Sequence, residues 1–299
     1  MNIPLISVVI PMYNRSKTII DCLDSVCKQS YTNIEVLVVD DCSQDNSIQM
    51  VKDYFDNRVR LIQLAYNSGA QVARNRGICE ATGNWIAFHD SDDIWDLKKL
   101  EKQYEILKEN NFNENLVIHS NCYCYNASTG AQEIWKVPKT ENDCFSLLLK
   151  RPAPLFPSIL TSKKVLIKIE LLDEQVPSYQ EWDTSIRLSK ECRFIHIDAP
   201  LFTYIFHEGD SISKNKIRDI EGYWYIVDKY KKEMIEEGVY QGHITNLIFR
   251  SLDFYLFSFS RKFINFKNER GVKLLLLKAL VKYKVKNKFL LKFIKRIIE

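Results

Sequence analysis

Across roughly the first 95 residues, short apolar runs alternate with stretches of helical periodicity, and this alternation admits few architectures. Ile6-Ser-Val-Val-Ile10, Ile34-Glu-Val-Leu-Val-Val39 and Trp85-Ile-Ala-Phe88 read as strands buried on both faces, with a further strand at Val59 to Leu64. Between them, Ser16 is placed to cap a helix on which Ile19, Ile20, Leu23, Val26 and Cys27 recur at helical spacing. A second helix runs through Ile48, Val51, Tyr54 and Phe55. A third carries Arg74, Asn75 and Arg76 and ends at Gly83. The β-α-β-α-β-α-β order predicts an α/β fold, a mostly parallel sheet flanked by helices on both faces.

In such sheets ligands bind beyond the carboxyl ends of the strands. Pro11–Asn14, Asp40–Asp41 and Asp90–Asp92 all fall there. The strand at Trp85–Phe88 runs almost directly into Asp90, Asp92 and Asp93, three carboxylates in four positions. Burying one unpaired is costly, so the cluster needs cations or water to face. A hard divalent metal holding a phosphorylated ligand suits it. A solvated acidic turn capping a helix near Leu97 is the other reading of the same residues.

Length and composition bound the answer. A chain of 299 residues with 46% hydrophobic content holds one large or two ordinary packed domains. No window reaches 18 uninterrupted apolar residues and no start resembles a secretion signal, so a cytoplasmic protein without a spanning helix is expected. The eight cysteines include no C-x-x-C pair and read as reduced core residues. The net charge of +4 hides a split: from Arg261 onward there are 13 Lys or Arg against Glu269 and Glu299, leaving −7 on residues 1–260. From Val272 to Ile298, leucines and phenylalanines interleave with lysines. Residues 261–299 could thus lay an apolar face on an anionic membrane, peripheral on the inner face of the plasma membrane, or pack as helices with a solvated basic face. No nucleic-acid reader motif accompanies the charge, so no nucleic-acid partner is expected.

Four blocks carry a resemblance: Ser7-Val-Val-Ile-Pro11-x-Tyr13-Asn14, Val39-Asp40-Asp41-x-Ser43-x-Asp45, Asn67-x-Gly69-x-x-x-Ala73-Arg74-Asn75-x-Gly77 and Asp90-Ser91-Asp92-Asp93. In order and spacing they resemble the inverting GT-A-fold glycosyltransferases of family 2. The resemblance implies a GT-A catalytic domain over residues 1–215, with a nucleotide-binding half at 1–97 and an acceptor half at 98–215. A basic helical region at 216–299 follows. It implies a UDP-sugar donor and Mn²⁺ or Mg²⁺, with Pro11, Tyr13 and Asn14 lining the nucleoside, and Asp41 accepting the imide N–H of uracil. Arg74 serves phosphate or orients Asp41. Asp92 binds the metal directly, Asp90 holds ribose or metal-bound water, and Ser91 belongs to the donor-binding set.

Past residue 97 the signal thins. Leu97, Leu100, Tyr104 and Leu107 give an amphipathic helix, Leu116–Tyr125 and Ala131–Val137 a hairpin, and the Pro-rich stretch at 151–157 a loop. Ser178-Tyr-Gln-Glu181-Trp182-Asp183 looks like the family's acidic block, putting Glu181 at the catalytic-base position where aspartate is commoner, with Asp183 as second candidate. His207, in His207-Glu-Gly-Asp-Ser211-Ile-Ser213, is similar to a histidine that related transferases bring to the metal. The implied acceptor is a growing glycan, lipid-linked and of the bacterial cell-surface type. Two rivals stay open. A nucleotidyltransferase making the nucleotide sugar lacks here its Gly-rich loop after the first strand, and a non-catalytic UDP-binding subunit of a glycan-assembly complex would bind without turnover.

Overall fold

Strand β1 (Ile6–Met12) is buried along its whole length and anchors the sheet. The computed structural model describes residues 3–142, 144–206, 215–267 and 272–298. These form two compact units, Met1–Gln175 with Gln180–Gly209, and Val176–Tyr179 with Asp210–Glu299.

In the first unit, β1 is followed by α1 (Ile19–Cys27), β2 (Ile34–Asp40), α2 (Ser47–Lys52), β3 (Val59–Gln63), α3 (Ala70–Glu80) and β4 (Trp85–Phe88). β1 pairs in parallel with both β2 and β4, and β2 with β3. Alternate residues serve opposite faces. Ile6, Val8 and Ile10 pack with Ile19, Leu23 and Val26 of α1. Val9 and Val39 face α3, whose Gly77 lets the helix backbone come close. Beyond β4 the unit continues through β5 (Ile94–Trp95), α4 (Lys99–Glu109), β6 (Leu116–Asn126), β7 (Gln132–Trp135), α5 (Phe145–Lys150), β8 (Leu160–Ser162), α6 (Lys163–Lys168), α7 (Gln180–Ser189) and β9 (Arg193–Phe206). The strand order is β3-β2-β1-β4-β8-β6-β9-β5, with β7 on β6. β8 runs antiparallel to both β4 and β6, so the parallel half gives way to a mixed one.

The second unit is helical throughout its described elements: α8 (Lys216–Lys229), α9 (Lys231–Glu236), α10 (Tyr240–Asp253), α11 (Phe257–Ile264), α12 (Val272–Lys282) and α13 (Lys288–Ile298). Asn215 caps α8, its side chain accepting from Ile217 N and Arg218 N. Ile220, Ile226 and Val227 of α8 and Ile244, Leu247 and Ile248 of α10 are fully buried.

Several sequence expectations change. Ser16 does not cap α1, because the helix starts later, after Thr18, and Ser16 N donates instead to Asp45 Oδ2 at 3.0 Å. α2 stops at Lys52, leaving Phe55 fully exposed rather than on an apolar face. β1 continues through Pro11, which is tolerated because β4 pairs no further than Val9↔Phe88. The missing proline N–H would have pointed past the end of β4. The hairpin forms as β6 and β7, with Tyr125 opposite Gln132.

A Cβ on Gly77 would lie 2.5 Å from Val9 Cγ1 and 3.3 Å from Val39 Cγ2. Both valines are buried and stiff about χ1, so the overlap outweighs the gain of about 1 kcal/mol in helix propensity. Gly77→Ala is expected to lose about 1–3 kcal/mol net, seen as a lower midpoint in thermal unfolding.

Candidate active site

The parallel strands deliver three polar loops to one edge, and hydrogen bonds fasten these loops to each other. After β1, Asn14 takes a left-handed backbone, φ 52°. Its N–H donates to Ser43 Oγ at 2.9 Å, and its Oδ1 accepts from Gln44 N at 2.8 Å. Arg15 N donates to Ser47 Oγ at 2.7 Å. Asp45 accepts from both Ser16 and Ser47. Desolvation works to raise its pKa, but these donors outweigh it and hold the carboxyl down to about 2. Above this seam stands Tyr13, 42% exposed, while Pro11 is buried in the strand.

After β2, Asp41 receives Ser68 N at 2.6 Å on Oδ1 and Gly69 N at 2.8 Å on Oδ2. Gly69 has φ 95°, a conformation glycine accepts without steric cost. A carboxylate at the start of α3 also meets the positive end of the helix dipole. Each Asp41 oxygen keeps a second lone pair for a ligand donor.

After β4, the carboxylates separate by environment. Asp90 Oδ1 accepts from Arg74 Nη2 at 2.6 Å. Arg74 is 5% exposed, with Nη1 2.9 Å from Gln71 Oε1 and 3.4 Å from Gln180 Oε1, and its Cζ lies 4.4 Å above the Phe156 ring. Arg74 is therefore turned to Asp90 and does not orient Asp41. Ser91 is buried, its carbonyl accepting from Thr18 Oγ1 at 2.9 Å. Asp92 Oδ2 lies 3.2 Å from Arg15 Nη2. Asp93 faces inward, with Oδ1 accepting from Ile205 N at 3.0 Å. Burial pushes its carboxyl well above the ordinary carboxylate range, and Asp90 and Asp92 push the same way. The turn before α4 is closed by Asp96, whose Oδ1 accepts from Lys98 N at 2.9 Å, so the triplet Asp90, Asp92, Asp93 does not cap that helix.

Glu181 enters from the first turn of α7 and is half-buried. Burial raises its pKa; its own backbone N–H and Arg74 oppose the rise, and Asp90 adds to it. Glu181 thus shares one electrostatic neighbourhood with the Arg74–Asp90 pair. Asp183 belongs elsewhere: its side chain is fully buried and Oδ2 accepts from Arg187 Nε at 2.9 Å. Arg187 in turn donates to the carbonyls of Ile169 and Leu171. The edge so gathers Tyr13, Asn14, Asp41, Arg74, Asp90, Asp92 and Glu181, and leaves Asp183 apart.

His207 lies outside the described residues. Among the described residues no group of three or more His, Cys, Asp or Glu is arranged to hold a metal on its own. The donors fit a cation shared with a ligand: Asp90 and Asp92 are each 28% exposed at the side chain, and hard divalent ions take one or two carboxylates plus phosphate oxygens and water. Arg15, Gln180 and Phe156 carry no functional signal of their own in the sequence. Arg15 adjoined a recognised block, Gln180 preceded the predicted base, and Phe156 in a proline-rich loop carried no local signal.

Comparison with known proteins adds a family and a fold. The family described as Glycosyl transferase family 2 matches residues 7–166. The chain is 45% identical over 107 residues to the UDP-Glc:alpha-D-GlcNAc-diphosphoundecaprenol beta-1,3-glucosyltransferase WfgD of Escherichia coli, covering 36% of this chain and 42% of that one. It is 40% identical over 128 residues to the glycosyltransferase GlyG of Streptococcus pneumoniae, 42% of each chain. The chain thus matches less than half the length of these curated relatives. The crystal structure of S. aureus TarS 1-349 in complex with UDP-GlcNAc superposes with a TM-score of 0.69 at 21% identity, over 98% of this chain and 90% of that one. The fold is that of GT-A glycosyltransferases.

Asp93 keeps its proton to higher pH when folded than when unfolded. Above about pH 4, where an unfolded aspartate ionises, the folded state holds the extra proton, and stability falls as pH rises towards the folded pKa. Asp93→Asn keeps the acceptor for Ile205 N and removes this loss. Without nucleotide or divalent ion, the variant is expected to be more stable than the parent at pH 7, with the gap closing towards pH 4 in urea unfolding.

Proposed function

Because the chain belongs to glycosyl transferase family 2, we propose that it transfers a sugar from a UDP-sugar to a hydroxyl of a lipid-linked cell-surface glycan, with inversion and with a divalent metal. The observation that carries this reading is Glu181, a half-buried carboxyl of raised proton affinity beside the Arg74–Asp90 pair. A general base needs such a pKa, nearer the working pH than that of a free carboxyl.

The donor's uracil is held by the exposed ring of Tyr13 and by a spare lone pair of Asp41 taking the imide N–H. Arg15 and Arg74, already at the D-x-D edge, face the diphosphate. Asp92 and Asp90 would hold Mn²⁺ or Mg²⁺, with His207 as a third candidate, and the ion supplies charge neutralisation for the departing diphosphate. Glu181 takes the proton of the acceptor hydroxyl as its oxygen forms the new bond to the anomeric carbon. On the opposite face the bond from that carbon to the phosphate oxygen breaks, and its electron pair leaves with UDP. One displacement inverts the centre. Asp183, bound to Arg187, stiffens α7 beneath the base.

A lipid-linked acceptor requires work at a bilayer, and two features support it. The E. coli relative is named for a diphosphoundecaprenol acceptor. On α13, Leu291 and Ile294 are buried, whereas Phe289, Leu290 and Phe293 are 88%, 42% and 62% exposed. At 3.6 residues per turn the exposed trio forms one patch flanked by Lys292 and Arg296, the layout of a helix lying in an anionic interface. No helix among the described residues is long and apolar enough to cross a membrane.

Incubated with Mn²⁺ and a panel of UDP-sugars, the protein is expected to release UDP slowly from one of them, and EDTA or Asp92→Ala should abolish release. Glu181→Gln should lower turnover by on the order of 10²–10⁴ while UDP affinity, measured by calorimetry, stays within about twofold. The parent's rate should fall with decreasing pH through a pKa above about 4.3, the value of a free glutamate. Unchanged turnover in Glu181→Gln would remove the base assignment, and failure to bind UDP would remove the nucleotide edge. In sedimentation with vesicles, the protein should bind those containing phosphatidylglycerol over pure phosphatidylcholine. Phe289→Glu with Phe293→Glu, or 0.5 M salt (roughly half of the physiological Debye length left), should release it.

A further inference from the structure

The chain leading into α7 is built into the helical unit. Val176–Tyr179 belongs to the second unit, although Gln180 and Glu181, which follow directly, belong to the first. Pro177, Ser178 and Tyr179 have polar anchors there. Pro177 O accepts from Arg218 Nε at 2.6 Å, Ser178 Oγ donates to Arg218 O at 3.0 Å, and Tyr179 Oη donates to Asp219 Oδ1 at 2.8 Å. Asp219, 8% exposed, is gripped in turn by Arg250, whose Nη2 donates to Oδ1 at 2.7 Å and whose Nε donates to Oδ2. The Tyr179 ring meets Tyr223 edge-on, centroids 5.5 Å apart, and Tyr223 Oη lies 2.7 Å from His243 Nδ1. Backbone closes on backbone as well: a Cβ at Gly222 would lie 2.6 Å from Ser178 N and 2.7 Å from Ser178 O.

Tyr179 itself is left-handed, φ 62°. That conformation costs an aromatic residue about 1–3 kcal/mol and persists where surrounding contacts over-determine it. Here they do, and the kink directs the chain into Gln180. Glu181 stands in the first turn of α7, where backbone N–H groups have no intrahelical partner and the helix does not fix its own start. Its placement therefore depends on the residues before it.

We propose that Tyr179, Asp219 and Arg250 are positioning residues for Glu181, acting through the backbone of Tyr179, two residues before it. This rests on the reading of Glu181 as the base. A displacement of about 1 Å at a reacting group can cost on the order of 10²-fold in rate, so partial loosening of the clamp is visible in turnover.

Tyr179→Phe removes the bond to Asp219, and Arg250→Lys keeps the charge but loses the fork that grips it. Each is made in the full chain, alone and combined with Glu181→Gln. UDP release from the UDP-sugar that the parent hydrolyses is followed with water as acceptor. Each single variant should lose about tenfold in kcat, a fraction of the loss a 1 Å shift brings, with UDP affinity unchanged. In the Glu181→Gln background neither should cost anything further, since residues acting through one group are non-additive. Unchanged kcat, or losses that multiply in the double variants, would overturn the clamp. A Glu181→Gln protein as active as the parent would instead sink the base assignment. Hydrogen exchange reads the clamp without turnover: the first turn of α7 should lose protection in Tyr179→Phe, and full protection there would also overturn it. Should Tyr179→Phe fail to fold, Arg250→Lys, which preserves the Tyr179–Asp219 bond, carries both measurements.

Discussion

Arg74 carries a full positive charge into a place almost closed to water, and the arrangement of the edge follows from meeting that charge. A buried guanidinium without a carboxylate would cost several kcal/mol. Asp90 meets it at 2.6 Å, Gln71 takes the other arm, and Phe156 lies flat beneath. Those partners come from the end of β4, from α3 itself and from the short turn before β8. The pair thus fixes the register of α3 against the D-x-D and brings both next to the first turn of α7. The same charge acts on Glu181, where Arg74 holds the carboxyl down against burial and Asp90. One ion pair consequently shapes the nucleotide edge and tempers the candidate base.

Neighbouring carboxylates diverge because their surroundings do. Asp92 stays partly open beside Arg15, whereas Asp93 turns inward to the Ile205 N–H and is pushed towards its neutral form. Behind them His89 is fully buried against Trp95, ring centroids 4.5 Å apart, and burial, with Lys99 acting the same way, pushes its imidazole well below the ordinary histidine range. The acidic loop therefore backs onto a buried aromatic layer, and Asp90 and Asp92 are the carboxylates of the triplet left partly open to a cation or phosphate-bearing ligand.

The parallel half of the sheet was legible because both-face burial writes itself as unbroken runs such as Val8–Ile10 and Val36–Val39, and because polar residues after such runs must collect at one edge. Local period could not show where a helix begins when the residues before it are tied to another loop, as Ser16 is to Asp45. Nor could it show that Arg74 turns to Asp90 rather than Asp41, since both carboxylates follow strands and only the packing of α3 chooses between them. Asp183 illustrates the same limit: it stands two residues from Glu181 in an equally acidic block, yet the helix turns it into an ion pair with Arg187. The mixed half was least visible. β8 has three residues and β5 two, too short for a period, and they exist because β4, β6 and β9 need partners.

The membership of Val176–Tyr179 bears on how such chains can be recombined. A chimera that exchanges C-terminal regions between relatives at one junction near residue 210 would leave these four residues with the old sheet and bring in foreign helices. Arg218, Asp219 and Gly222 would be replaced by side chains never matched to Pro177, Ser178 and Tyr179. A functional graft therefore has three seams, one on either side of the tetrapeptide and one after β9, and the heritable module is discontinuous in sequence although compact in space.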